Sequence, residues 1–82
     1  MISSTDWRDI KYKETFEGEL RALERRRFFD KSCTPADLEG TLQTLYLSEG
    51  ADWEGRGELQ GVILSATIAA YEHFIDAWKQ EA

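Results

Sequence analysis

The stretch Glu58–Gln80, ELQGVILSATIAAYEHFIDAWKQ, carries more apolar residues than one helix face can hold. At about 100° per residue, Leu64, Ile68, Tyr71, Ile75 and Trp78 make one seam. Leu59, Ile63, Ala66, Ala70, Phe74 and Ala77 make a second. The polar residues Glu58, Ser65, Glu72, Asp76 and Lys79 gather within about 40° of one line. The apolar arc therefore covers well over half the circumference, where a surface helix shows an arc somewhat above about 100°. A helix of this kind needs cover from two sides, and the rest of the chain has to supply it.

Helical spacing also dominates elsewhere, and no segment sustains period-two alternation. Thr34-Pro35-Ala36-Asp37 is a clear helix start. Thr34 caps, Pro35 takes the first helical position and Asp37 closes the box. Leu38, Leu42, Leu45 and Tyr46 then share one face. Gly50 is a candidate left-handed stop. Upstream, Ser3 and Asp6 match a capping pattern, and Tyr12, Phe16, Leu20 and Leu23 align. Gly18, Ala22 and Phe29 form a second strip on nearly the opposite side, so this helix too asks for two partners. The predicted fold is an all-α, antiparallel three-helix bundle in a single domain, residues 1–82. Helix 1 spans about 5–31, helix 2 about 35–48, a glycine-rich loop 49–57, and helix 3 about 58–80. At about 1.5 Å per residue the long helices reach roughly 40 and 35 Å and the second roughly 20 Å. The short helix leaves a groove between helices 1 and 3 half covered, which a second copy would fill through a two-fold contact.

Composition narrows the function. The chain has 82 residues, 41% of them hydrophobic, and a net charge of −6. Residues 1–33 hold eight basic and seven acidic residues; residues 34–82 hold two and nine. That balance argues against general nucleic-acid binding, which needs a net basic face. Cys33, the single cysteine, cannot make an internal disulfide, and no Cys/His cluster is spaced for zinc. A reducing, cytoplasmic setting is expected. The start MISSTDWRDIKYKE lacks the apolar core of a signal peptide. The longest apolar-rich stretch, Gly61–Trp78, contains Glu72, His73 and Asp76 and does not read as a membrane span. No membrane association is expected.

GADWEGRGELQG, residues 50–61, holds four of the six glycines. No Lys-Ser or Lys-Thr follows them, so it is not a phosphate-binding P-loop. The dinucleotide-binding spacing also fails at Gln60. Read as a calcium loop from Asp52, it places Arg56 and Ile63 at ligand positions, and neither offers an oxygen. An ordered interhelical loop is the better reading, with Trp53 folded back over the bundle end. Asp52, Trp53, Glu54 and Arg56 are the candidates if a ligand binds there. Gly40 and Gly61 lie one turn into helices 2 and 3, where close backbone approach would explain them.

His73 has Asp76 one turn on but no nucleophile within reach, so it reads as a boundary histidine rather than a general base. Cys33, just before a helix start, reads as a small residue in a tight turn rather than a reactive thiol. The sequence predicts no catalytic residue, no metal ligand and no cofactor. Arg25-Arg26-Arg27-Phe28-Phe29 is the one basic and aromatic cluster. Aromatic residues and arginines are the usual interface anchors. The expected function is a small, acidic, non-catalytic protein-interaction module that self-associates, a dimer being favoured, or takes an acidic protein partner. Its surface would comprise Trp7, Phe28, Phe29, Tyr71, Ile75 and Trp78, with Arg25, Arg26 and Arg27 as polar rim. The alternative is a small regulator binding a ligand or nucleic acid through Arg25–Phe29 or the Asp52–Arg56 loop.

Overall fold

The computed structural model describes residues 7–51 and 58–81. They form three helices, α1 (Trp7–Phe29), α2 (Pro35–Ala51) and α3 (Glu58–Gln80), with no strand among the described residues. The Ser3–Asp6 cap and the loop residues Asp52, Trp53, Glu54 and Arg56 lie outside them.

α1 ends at Phe29, two residues before the expected boundary, because Asp30 offers the backbone an alternative. Its amide closes the last turn onto the Arg26 carbonyl at 2.8 Å. Its carboxylate then accepts from the Ser32 amide at 3.0 Å and the Ser32 hydroxyl at 2.6 Å. Such side-chain bonds two residues on favour a turn over further helix. These bonds, the Ser32 hydroxyl first, hold the Asp30 carboxyl below the usual carboxylate range.

α2 starts where the pattern places it. The Asp37 amide donates to the Thr34 hydroxyl at 3.2 Å, and the Thr34 amide donates to the Asp37 carboxylate at 3.0 Å. This reciprocal box satisfies donors that the first turn leaves without partners. The far end differs from expectation: α2 runs through Gly50 to Ala51, and no glycine among the described residues has a positive φ. A glycine costs a helix only about 1 kcal/mol against alanine, so it is a weak stop where no reversal is required at that residue. Nor do Gly40 and Gly61 mark close approaches, since a Cβ at either would meet nothing within 4 Å.

α3 is central. It packs along both α1 and α2, most extensively along α1, while α1 and α2 make no close backbone approach to each other. The chain is correspondingly thin, 44 × 30 × 20 Å, the last value about two helix diameters. α3 supplies Ala66, Ile68, Ala70, Phe74 and Ile75 to the buried core. α2 adds Leu38 and Leu42, the connection adds Cys33, and α1 adds only Leu23. Leu20, Leu45, Leu64, Tyr71 and Trp78 pack half-buried against this cluster. Both apolar seams of α3 are thus covered over their central turns within one chain, while Leu59 and Ala77 at the ends of the second seam stay exposed. The expected opening between α1 and α3 is confined to their C-terminal ends, where Ala77 is exposed, and Ile75, expected at an interface, is 5% exposed. Most of the large apolar side chains left outside belong to α1, with Tyr46 and Leu47 of α2 and Leu59 of α3 also exposed. The second strip of α1 stays outside, with Ala22 exposed and Phe29 75% exposed.

Candidate interaction surface

The C-terminal turn of α1 lies against the C-terminal turn of α3, and one arginine ties them. The Arg27 guanidinium stacks 4.1 Å from the centre of the Trp78 ring. Its two terminal nitrogens donate to the Glu81 carboxylate at 3.0 and 2.6 Å. Trp78 in turn meets Phe74 edge-on at 5.9 Å. The paired geometry is the one that guanidinium and carboxylate favour, and the aromatic face adds attraction for the cation. The hydrogen bond to Glu81 raises the Arg27 pKa, and its counterpart lowers that of Glu81.

Three consecutive helical residues point about 100° apart, and the arginines separate accordingly. Arg27 turns in to α3, while Arg25 and Arg26 stay exposed. Phe28 and Phe29 are 67% and 75% exposed and touch each other edge-on at 5.0 Å. Lys31 holds its ammonium 5.3 Å from the Phe28 ring. Between these groups and α3 lies a cleft of about 460 Å³, floored by Leu20, Phe74 and Trp78, with Arg27, Phe28 and Lys31 at its edge. At the other end of α1, Trp7 is 45% exposed and Ile10 and Tyr12 are also open.

Of the residues expected to form a surface, Arg25, Arg26, Phe28 and Phe29 come together at one end of α1, with Trp7 at the other. Trp78 is half-covered by Arg27, Tyr71 is half-buried, and Ile75 is in the core. Burial is the main reason the Tyr71 hydroxyl is pushed up. His73 meets the Phe16 ring at 5.9 Å. The carboxylates near it are engaged elsewhere: Asp76 accepts from Gln80 at 3.3 Å, and Glu72 accepts from the Tyr46 hydroxyl, which it pushes up. Cys33 is a free, buried thiol. Among the described residues no three of His, Cys, Asp and Glu are grouped to hold a metal, and no helix is long and apolar enough to cross a membrane. Sequence reasoning missed Glu81, Lys31, and the α2–α3 ion pair of Glu39 with Lys79. Each depends on residues brought together from different parts of the chain or on a rim that only the packed helices define.

Family models, curated proteins and solved structures offer no match to this chain.

Proposed function

We propose that the chain is a small, non-catalytic protein-interaction module that associates with itself through the surface of α1 and the adjoining end of α3. In this reading the three helices form an up-down-up bundle, with α2 antiparallel to α3 and α1 alongside it, in a reducing, cytoplasmic setting. The observation that carries it is the exposure of Trp7, Ile10, Phe28 and Phe29 on a helix that buries only Leu23. These side chains form two apolar patches, one at each end of α1; exposed apolar patches mark interaction sites, and aromatic side chains with neighbouring arginines are the residues that dominate such sites. Sedimentation equilibrium across a concentration series, at low and high salt, tests it. A dimer whose apolar part survives salt is the expected result; a monomer at every concentration removes self-association.

The cleft beside Arg27, Phe28 and Lys31 favours a second reading, a regulator that binds a ligand or nucleic acid at the Arg25–Phe29 segment. Binding of a short oligonucleotide that weakens steeply with salt supports that reading; absence of binding at low salt removes its nucleic-acid version.

A further inference from the structure

Trp7, Glu14, Arg21 and Phe28 stand seven residues apart along α1. Seven residues of a straight helix return to within about 20° of the starting direction. The four therefore form a stripe about 60° wide, with Ile10 and Arg25 inside it and Leu23 on the opposite side. All six stripe residues are exposed. The ion pairs among the described residues are Arg27–Glu81 and Lys79–Glu39, and neither includes Glu14 or Arg21.

Along the stripe the order is Trp7, Ile10, Glu14, Arg21, Arg25 and Phe28: aromatic, aliphatic, acid, base, base, aromatic. Turned end for end, it presents base to acid, acid to base and aromatic to aromatic. We infer that the outer face of α1 pairs antiparallel with α1 of a second copy, with Glu14 set against Arg21 of that copy and Trp7 against its Phe28. Each contact then occurs twice, as a two-fold interface requires. Parallel pairing sets Glu14 on Glu14 and Arg21 on Arg21, and like charges held together are strongly disfavoured. The four heptad positions are their own complement, and Ile10 meets Arg25, whose aliphatic stem can cover it while the guanidinium stays in solvent; the charge order is what selects a second copy over a foreign partner. The two helices cross beside Gly18, where the space a Cβ would enter is open to 4 Å. A glycine there lets the two backbones come close. α1 is about 34 Å long, so a contact along this one helix is at the small end for stable complexes.

This inference rests on the self-association reading, and the experiment separates the two. Sedimentation equilibrium is run on the full chain, on Glu14→Arg, on Arg21→Glu and on the doubly exchanged chain. Each single change sets like charges together twice and is expected to weaken the dimer about tenfold or more. The double exchange restores opposite charges and is expected to return affinity to within about threefold of the original. Thermal unfolding of dilute protein checks that the fold persists; Glu14, Glu17 and Arg21 are exposed and Lys11 is half-buried. Orientation is read from spin labels on Glu17→Cys and, separately, Lys11→Cys, the native Cys33 being buried. Antiparallel pairing puts the two Lys11 positions about 20 Å further apart along the axis than the two Glu17 positions; parallel pairing makes the two separations similar. A dimer indifferent to both charge changes, or equal label separations, overturns the inference while leaving self-association in place. A monomer throughout overturns both.

Discussion

Where α2 meets α3, Leu38 and Leu42 are buried, a capping box fixes the start of the helix, and Glu39 pairs with Lys79. Where α1 meets α3, a longer run of helix buries only Leu23, and the tie at its end is the exposed Arg27–Glu81 pair over Trp78. Length of contact and strength of anchoring are therefore different things in this molecule. A helix of 23 residues with its best apolar side chains facing outward is docked lightly for its size. The same arrangement leaves it the richest surface for a partner. α2 is anchored more firmly by Leu38 and Leu42, and what it leaves outside is smaller, Leu47 at 72% exposed beside a half-open Tyr46.

Truncating the two anchors tests this contrast most severely. Leu38 is 1% exposed and Leu23 3%, so burial alone predicts similar losses. They should nevertheless differ, because the cost of a cavity depends on how far the surroundings can collapse. Leu38→Ala is expected to cost about 3–5 kcal/mol, and Leu23→Ala about 2–3 kcal/mol because a lightly held α1 can shift inward. Urea unfolding of dilute protein measures both. If Leu23→Ala is the costlier, α1 is rigidly seated and the comparison fails.

Glycine replacements sharpen it at smaller magnitude. Neither Gly18 nor Gly40 has anything within 4 Å of an added Cβ. Gly40→Ala on α2 should therefore stabilise the fold by about 0.5–1 kcal/mol through helix propensity and a less flexible unfolded chain. Gly18→Ala on α1 should give a similar gain in dilute protein. At high concentration the two should part company. The Gly18 methyl would stand between paired helices and weaken association, whereas the Gly40 methyl would not. Equal behaviour at all concentrations places the contact between copies away from the centre of α1.

Local spacing made much of this architecture readable in advance. The two seams of α3 and the Thr34–Asp37 box need only residues a few positions apart, and both take the form their spacing implies. The three successive arginines were separable for the same reason. Which surface remains open was not readable. Two seams on α3 say that cover is needed, not that α1 and α2 of the same chain supply most of it, and so Ile75 was expected outside when it is buried. Arg27 and Glu81 are 54 residues apart, and no pattern in either neighbourhood announces the other. Gly40, Gly50 and Gly61 misled in the opposite direction: a glycine signals a special backbone or a close neighbour only where the structure uses that freedom, and these helices do not.

The smallest expected effect concerns the tie that substitutes for buried anchors on the α1 side. Glu81 has its pKa lowered, chiefly by the hydrogen bond from Arg27, whose own pKa is raised and which stays charged through the acid range. A depressed carboxyl contributes stability that is complete above its ordinary pKa and is lost as pH falls through the lower, folded value. The Arg27–Glu81 contribution should therefore be intact at neutral pH and disappear on acidification below the ordinary carboxylate range. Asp30 behaves with the same sign through its bonds from Ser32, but it acts in the turn and not between helices. Salt separates the two. Both partners of the ion pair face solvent, so its contribution is small and is screened as ionic strength rises. The Asp30–Ser32 bonds are short-range and local and should respond far less. Glu81→Gln is accordingly expected to flatten part of the acid limb of the stability profile at low salt and to match the unaltered chain at about 1 M salt, where the screening length falls to about 3 Å. Thermal unfolding against pH at two salt concentrations makes the measurement. If Glu81→Gln leaves the low-salt acid limb unchanged, the tie adds nothing to stability, and α1 is held by Leu23 and the stacking on Trp78 alone.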